Sequence, residues 1–257
     1  MKKMKTLIAL ALVCFFTTAI NAQVKKPVVK KPTTTKTVVK RSITPRTQGA
    51  TKPGVAKTKA TIQIPGTRIK ITTDSGVMVI RLYDKTPQHR DNFIKLANEH
   101  FFDSLLFHRV MQAFMIQGGD PQSKYAQPGQ QLGMGDVGYT IPAEFDTSLF
   151  HKKGALAAAR TENPAKASSG CQFYIVQGKT WTDADLSGME MQQGRKYSAA
   201  QRNIYKKIGG TPFLDMGYTV FGEVESGLNV IDKIASVPTA PGDRPIGDVR
   251  MKIEVIK

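Results

Sequence analysis

The chain has 257 residues, with 37 Lys and Arg against 20 Asp and Glu, and a formal net charge of +17. The excess charge lies at the N-terminal end, because residues 1–60 carry fourteen Lys and Arg and no acidic residue. From Thr61 onward, 23 basic residues face 20 acidic ones, so a strongly basic folded domain is excluded. Two cysteines also exclude a disulfide framework.

The first 22 residues resemble an export signal. Three lysines within Met1–Lys5 precede a short apolar run, Leu7–Phe16, and small or polar residues follow as far as Ala22. The apolar run is shorter than the roughly 20 residues of a membrane span, so we expect cleavage near Ala22. The predicted localisation is exported, either periplasmic or secreted. Cys14 leaves a lipid-anchored precursor as the alternative.

Residues 23–60 form a basic segment rich in Lys, Thr, Pro and Val, without an acidic or aromatic residue. Such a composition cannot bury a core, and it predicts disorder. The segment is interpreted either as a solvated linker or as an arm that makes weak contact with a polyanion. No aromatic residue is available for base stacking, so no specific nucleic-acid partner is expected.

About 197 residues remain from Thr61, enough for one domain, 61–257. Alternation over Arg68–Tyr83 around Asp74–Gly76 predicts a hairpin. A helix is predicted to begin at Thr86–Pro87, with Thr86 as its cap and Pro87 at the first helical position. A second helix is predicted over Leu228–Ala235. Further strands are predicted at Phe107–Val110, Phe114–Gln117, Ala155–Ala159, Gln172–Gln177, Tyr218–Gly222 and Val249–Ile256. This pattern indicates a mainly β protein with a closed antiparallel barrel and helices that cap its openings.

One segment, Trp181–Gly210, differs in composition from its surroundings and is rich in Gln, Met, Lys and Asp. We refer to it as the insertion, because it separates two predicted strands. A helix is predicted around Ala199–Ile208. The insertion is interpreted as a structural elaboration or a partner surface, since its composition points to no chemistry.

The most distinctive motif is Phe107–Asp120, FHRVMQAFMIQGGD, in which a cation lies among aromatic and thioether side chains. Three further motifs follow in order: Gly154–Arg160, Ser169–Val176 and Phe213–Phe221. Together the four motifs resemble the cyclophilin-type peptidyl-prolyl isomerases, over essentially all of 68–256. The resemblance implies a closed eight-stranded antiparallel barrel with two capping helices.

The same resemblance implies an enzyme that accelerates rotation about X-Pro bonds in Pro-containing polypeptides. The implied catalytic residues are Arg109, Gln117, Phe114 and His108. The implied substrate-binding residues are Met115, Ala159, Arg160, Gln172, Tyr174, Phe213, Leu214 and Tyr218. No metal or other cofactor is expected. The alternative is a cyclophilin-fold module that binds Pro-containing segments without catalysis.

Three aromatic positions depart from the family pattern. Tyr174 replaces a Phe at the floor of the proline pocket, Phe213 replaces a Trp of many eukaryotic members, and Tyr218 replaces a His. Each substitute keeps an aromatic ring, so the apolar walls are expected to persist. Another motif, Gly133–Gly138, matches G-x-G-x-x-G but is predicted to be a surface loop, since no strand precedes it and no helix follows it.

Overall fold

The computed structural model describes residues 66–256. The predicted export signal, 1–22, and the basic segment, 23–60, lie outside the described residues. Within 66–256, no helix is long and apolar enough to cross a membrane.

Within residues 66–256, ten strands form two antiparallel sheets. The strands are β1 (Arg68–Thr73), β2 (Gly76–Leu82), β3 (Phe107–Met111), β4 (Met115–Gly118), β5 (Thr140–Ile141), β6 (Ala155–Ala158), β7 (Ser168–Ser169), β8 (Phe173–Val176), β9 (Val220–Ser226) and β10 (Met251–Ile256). Eight of them make one sheet in the order β10-β1-β2-β9-β6-β8-β4-β3, and β5 pairs with β7. The predicted hairpin is confirmed, with Thr73 opposite Gly76. Strand β9 begins two residues later than predicted, and β5 and β7 were not predicted.

The eight-stranded sheet is strongly curled into a half-barrel, and the prediction of a closed barrel is wrong. Among residues 66–256, the starts of the two edge strands meet at one isolated bridge, between Leu106 and Arg250. Beside it, the amides of Phe107 and Met251 donate to the carbonyls of Val249 and Leu105, each at 2.9 Å. Further along β3, the amide of Val110 donates instead to the carbonyl of Asp243, at 2.8 Å. The loop before β10 therefore occupies the edge of β3 that closure would require.

Two helices pack against the sheet as predicted: α1 (Pro87–Asn98) and α4 (Leu228–Ala235). Pro87 takes the first helical position of α1, where a missing amide hydrogen costs nothing. Thr86 was predicted to cap α1, but its side chain makes no capping bond. The Glu144 carboxylate caps α1 instead, accepting the amides of Gln88 and His89 at 3.1 and 3.0 Å.

The insertion adds two further α-helices, so residues 66–256 contain four α-helices instead of the three predicted. Helix α2 (Asp183–Gln193) was not predicted, whereas α3 (Ala199–Lys207) confirms the helix expected around Ala199–Ile208. Each begins with a capping box, a reciprocal bond between the N-cap side chain and the third helical residue. The insertion leaves and rejoins the body of the protein at one place, where Lys179 forms a bridge with Gly210.

Buried side chains on the sheet divide between its two faces with a period of two. In β8, Phe173 and Ile175 join the main core with α1 and α4, whereas Tyr174 and Val176 join a smaller cluster on the other face. The same alternation places Leu156 in the main core and Ala157 in the smaller cluster. The smaller cluster underlies the candidate site described next.

Candidate active site

Strand register places the central site residues in one row across the sheet. Arg109 of β3 lies opposite Gln117 of β4, which lies opposite Tyr174 of β8, which in turn lies opposite Ala157 of β6. Opposite residues in an antiparallel pair project from the same face. Residues far apart in the chain are thereby brought together on one face of the half-barrel.

A pocket of about 170 Å³ opens over this row, and we call it the Arg109 pocket. Its lining consists of Arg109, Phe114, Met115, Gln117, Ala159, Arg160, Tyr174, Leu214 and Tyr218. Nine of the twelve predicted site residues therefore line a single cavity. Met115 and Tyr174 are almost fully buried, and they form an apolar floor beneath a cationic rim.

Arg109 lies at the rim, and its side chain is 41% exposed, so the guanidinium is partly hydrated rather than enclosed. Its Nε donates to Asp243 Oδ2 at 3.3 Å, and its terminal nitrogen lies 3.1 Å from the sulfur of Met111. An ion pair as exposed as Arg109–Asp243 stabilises by less than about 1 kcal/mol. A bound ligand can therefore displace Asp243 at low cost.

Gln117 is held by a chain of amide hydrogen bonds. Its Nε2 donates to Gln172 Oε1 at 3.0 Å, and Gln172 Nε2 donates to the carbonyls of Gly133 and Gly135 at 3.0 and 2.8 Å. Gln117 is therefore bonded to Gln172 rather than to the Arg109 guanidinium. The Gly133–Gly138 segment is a loop, as predicted, and it fixes the orientation of both glutamines.

Arg160 and Tyr218 form the opposite side of the pocket. Arg160 Nε donates to the carbonyl of Gly217 at 3.0 Å, and its guanidinium carbon lies 4.6 Å from the centre of the Tyr218 ring. The Tyr218 ring meets the Tyr174 ring edge-on, at 82° and a centroid distance of 5.9 Å. Such contacts restrict both rings, which gives the pocket a rigid aromatic side.

The other three predicted residues lie beside the Arg109 pocket rather than in its lining. Gln172 lines an adjoining pocket, and His108 lines a third pocket with Arg109 and Arg244. Phe213 is 45% exposed and stacks on Phe114, with ring centroids 5.8 Å apart. Phe213 therefore supports a lining residue, and its contact with substrate stays a prediction.

His108 is 3% exposed, and neither ring nitrogen has a hydrogen-bond partner among the described residues. Burial lowers the pKa of His108 to about 4, although Asp120 nearby favours the charged form. The imidazole is therefore neutral at pH 7. The catalytic role that the resemblance implies for His108 stays a prediction.

Sequence reasoning missed Asp243, His151 and Asp215. Asp243 contacts Arg109 from a loop 134 residues further along the chain, and nothing in the local sequence indicates that pairing. His151 and Asp215 are buried behind Tyr174, and the His151 ring stacks on the Tyr174 ring with the two ring centroids 6.0 Å apart. The replacement of Phe by Tyr at 174 was the available signal, since a buried hydroxyl requires a partner.

The fold and the pocket define a class: a mainly β domain with a rigid apolar pocket bordered by an arginine on one face of a curled sheet. The family model described as "Cyclophilin type peptidyl-prolyl cis-trans isomerase/CLD" matches residues 68–255. The chain therefore belongs to the cyclophilin-type peptidyl-prolyl cis-trans isomerases.

Relatives agree with this assignment. The chain is 32% identical over 202 residues to a Staphylococcus saprophyticus protein named as a peptidyl-prolyl cis-trans isomerase, covering 76% of this chain and 95% of that one. It is 35% identical over 187 residues to a Streptococcus pyogenes protein named as a bifunctional phosphatase/peptidyl-prolyl cis-trans isomerase. That match covers 72% of this chain but spans only 37% of the longer relative.

Solved structures show the same fold. A Cryptosporidium parvum cyclophilin-type isomerase gives a TM-score of 0.55 at 19% identity, covering 75% of this chain and 99% of that one. A second structure of that protein, determined in the presence of the dipeptide Ala-Pro, gives a TM-score of 0.53 at 20% identity, covering 74% of this chain and 99% of that one.

Proposed function

We propose that the Arg109 pocket binds a prolyl residue and accelerates rotation about the preceding X-Pro bond. The observation that best supports this function is the position of the Arg109 guanidinium at the rim of an apolar pocket, with Met115 and Tyr174 as its floor and Leu214 as a wall. The Ala-Pro dipeptide used with the Cryptosporidium structure supports the same ligand class. The clients are Pro-containing polypeptides.

The energetic demand of this reaction fits a site of this kind. Uncatalysed X-Pro rotation takes tens to hundreds of seconds, because the amide C–N bond has partial double-bond character. An increase from about 0.01 to about 10 per second requires roughly 4 kcal/mol of transition-state stabilisation. One charged donor held in place by the protein can supply much of that amount. The reaction requires no nucleophile.

The floor and the rim of the pocket have different roles in the proposed reaction. The floor fixes the pyrrolidine ring, so one side of the C–N bond is held while the other side rotates. The prolyl nitrogen gains a lone pair only when the amide twists out of conjugation, and a guanidinium can then donate to it. Arg109 therefore binds the twisted amide more strongly than either planar isomer, which is the requirement for catalysis.

The direct test is exchange NMR on a Pro-containing peptide mixed with the full chain. We expect cis/trans exchange cross-peaks that strengthen in proportion to the protein concentration. Saturable peptide binding without faster exchange would contradict catalysis and would favour a binding module. A peptide with Ala in place of Pro is the matched control, and it should show neither effect.

We further propose that the protein acts on exported polypeptides. The support is the sequence of residues 1–22, with its lysines, short apolar run and small residues near Ala22. The test is expression of the full chain followed by mass spectrometry of the exported fraction. An N-terminus near Gln23 is expected, and an uncleaved cytoplasmic chain would contradict export.

Removal of residues 23–60 should leave folding and isomerisation unchanged and reduce retention on polyanions. This segment carries eleven Lys and Arg, no acidic residue and no aromatic anchor for a core. We expect the melting temperature to stay within about 2 °C and salt-dependent retention on an anionic resin to weaken. A large fall in melting temperature would show instead that the segment packs against the domain.

A further inference from the structure

The hydroxyl of Tyr174 extends from the floor of the Arg109 pocket into a buried hydrogen-bond chain. It lies 2.9 Å from His151 Nε2, and His151 Nδ1 lies 2.7 Å from Asp215 Oδ1. The same carboxylate oxygen accepts the backbone amide of His151 at 2.7 Å. The side chain of His151 is fully buried and that of Asp215 is 2% exposed, so these bonds are shielded from water.

The second carboxylate oxygen of Asp215 is bound by the insertion. Tyr205 of α3 donates its hydroxyl to Oδ2 at 2.6 Å, and Arg195 forms an ion pair with the same atom at 3.3 Å. Burial and the neighbouring Asp215 raise the pKa of the Tyr205 phenol, which keeps it a hydrogen donor. Tyr174, His151, Asp215, Tyr205 and Arg195 thus form one connected set, which we call the Asp215 network.

The insertion also holds the backbone next to the pocket wall. The carbonyl of Pro212 accepts from Arg195 at 2.9 Å and from the Tyr197 hydroxyl at 3.0 Å. The next carbonyl, that of Phe213, accepts from Gln193 Nε2 at 3.1 Å. Leu214, which lines the Arg109 pocket, lies between these carbonyls and Asp215.

We propose that the insertion is a positioning element of the active site, in which Tyr205 and Arg195 act through Asp215 and His151 to fix the Tyr174 floor and the adjacent Leu214 wall. This inference rests on the proposed function of the pocket. The physical basis is that a fully bonded buried network has one low-energy arrangement, whereas loss of one donor leaves a buried acceptor unpaired. Tyr205, Arg195, Asp215 and His151 are positioning residues, since they touch the pocket only through other groups.

A double-mutant cycle separates positioning from ordinary structural support. Tyr205→Phe removes the hydroxyl and keeps the ring that packs against Phe150 and Tyr197. Tyr174→Phe disconnects the pocket floor from the network while keeping its aromatic surface. Exchange rate and peptide dissociation constant are measured for the wild type, both single variants and the double variant, all well below their melting temperatures.

We expect Tyr205→Phe to lower kcat/KM about threefold to tenfold in the wild-type background and less than twofold in the Tyr174→Phe background. Equal fold-changes in the two backgrounds would overturn the inference, as would unchanged kinetics in Tyr205→Phe. Should Tyr205→Phe fail to fold, Arg195→Gln takes its place in the cycle, because that side chain is 25% exposed. The same coupling is expected for it.

Tyr125→Phe is the matched control, since Tyr125 is 83% exposed and lies outside both the pocket and the insertion. Its kinetics should equal those of the wild type. Should the wild type bind peptide without accelerating exchange, the proposed catalytic function fails, and the cycle is evaluated on the dissociation constants alone. Failure of catalysis and failure of network coupling are therefore distinguishable.

Discussion

Arg109→Ala should lower kcat for X-Pro exchange by about a hundredfold or more while weakening peptide binding less than tenfold. The guanidinium acts on the twisted amide, so its removal affects the transition state more than the bound ground state. The variant removes no part of the pocket floor, which is formed by the almost fully buried Met115 of β4 and Tyr174 of β8. Exchange NMR at several peptide concentrations measures both quantities.

Two further variants sharpen this test. Arg109→Lys keeps the charge but loses the planar fork of donors, and it should recover only part of the lost rate. Arg68→Ala is a remote control, since Arg68 of β1 pairs with Glu225 of β9, away from the pocket lining. Equal exchange rates for the wild type and Arg109→Ala would refute the proposed mechanism.

Protein stability should fall by about 2 to 3 kcal/mol as the pH decreases from 7 to 4.5, through His108. Burial lowers the His108 pKa from 6.5 to about 4 in the folded state. Between these values the unfolded chain binds a proton that the folded chain excludes, so the free energy of unfolding decreases with falling pH. The contribution of neutral His108 to the free energy of unfolding is therefore complete above pH 6.5 and is lost by about pH 4.

His89 contributes in the same direction, because burial also lowers its pKa. The His108 contribution is isolated by His108→Gln, which keeps a polar side chain but does not titrate. Denaturant unfolding of both proteins at pH 7 and pH 4.5 gives the difference. If the free energy of unfolding of the wild type had the same pH dependence as that of His108→Gln, burial would not lower the His108 pKa.

Local sequence patterns were sufficient for the individual elements of the fold. The alternation in β1 and β2, Pro87 at the start of α1 and the apolar face of α4 each depend on neighbouring residues, and each was predicted correctly. The resemblance supplied the association of the strands. Nine of its twelve site residues line one pocket, because strand register places them on the same face.

Features that depend on contacts between distant segments could not be predicted. The barrel does not close along β3, because the carbonyl of Asp243 accepts the amide of Val110 there. A local pattern does not show which segment covers an edge strand. The capping of α1 by Glu144 likewise joins residues more than 50 positions apart. Helix α2 was missed because its residues form a weak apolar face, with Leu186 as its one buried side chain.

The bridge between Lys179 and Gly210 has a consequence for the evolution of this chain. A Cβ atom on Gly178 would lie 2.4 Å from the Cα of Gly210, so the segments that enter and leave the insertion meet glycine to glycine. A segment whose ends touch can be acquired, lengthened or lost without a change in the spacing of β8 and β9. Relatives of this protein are therefore expected to vary in length here, with small residues kept at the junction even where the intervening helices differ.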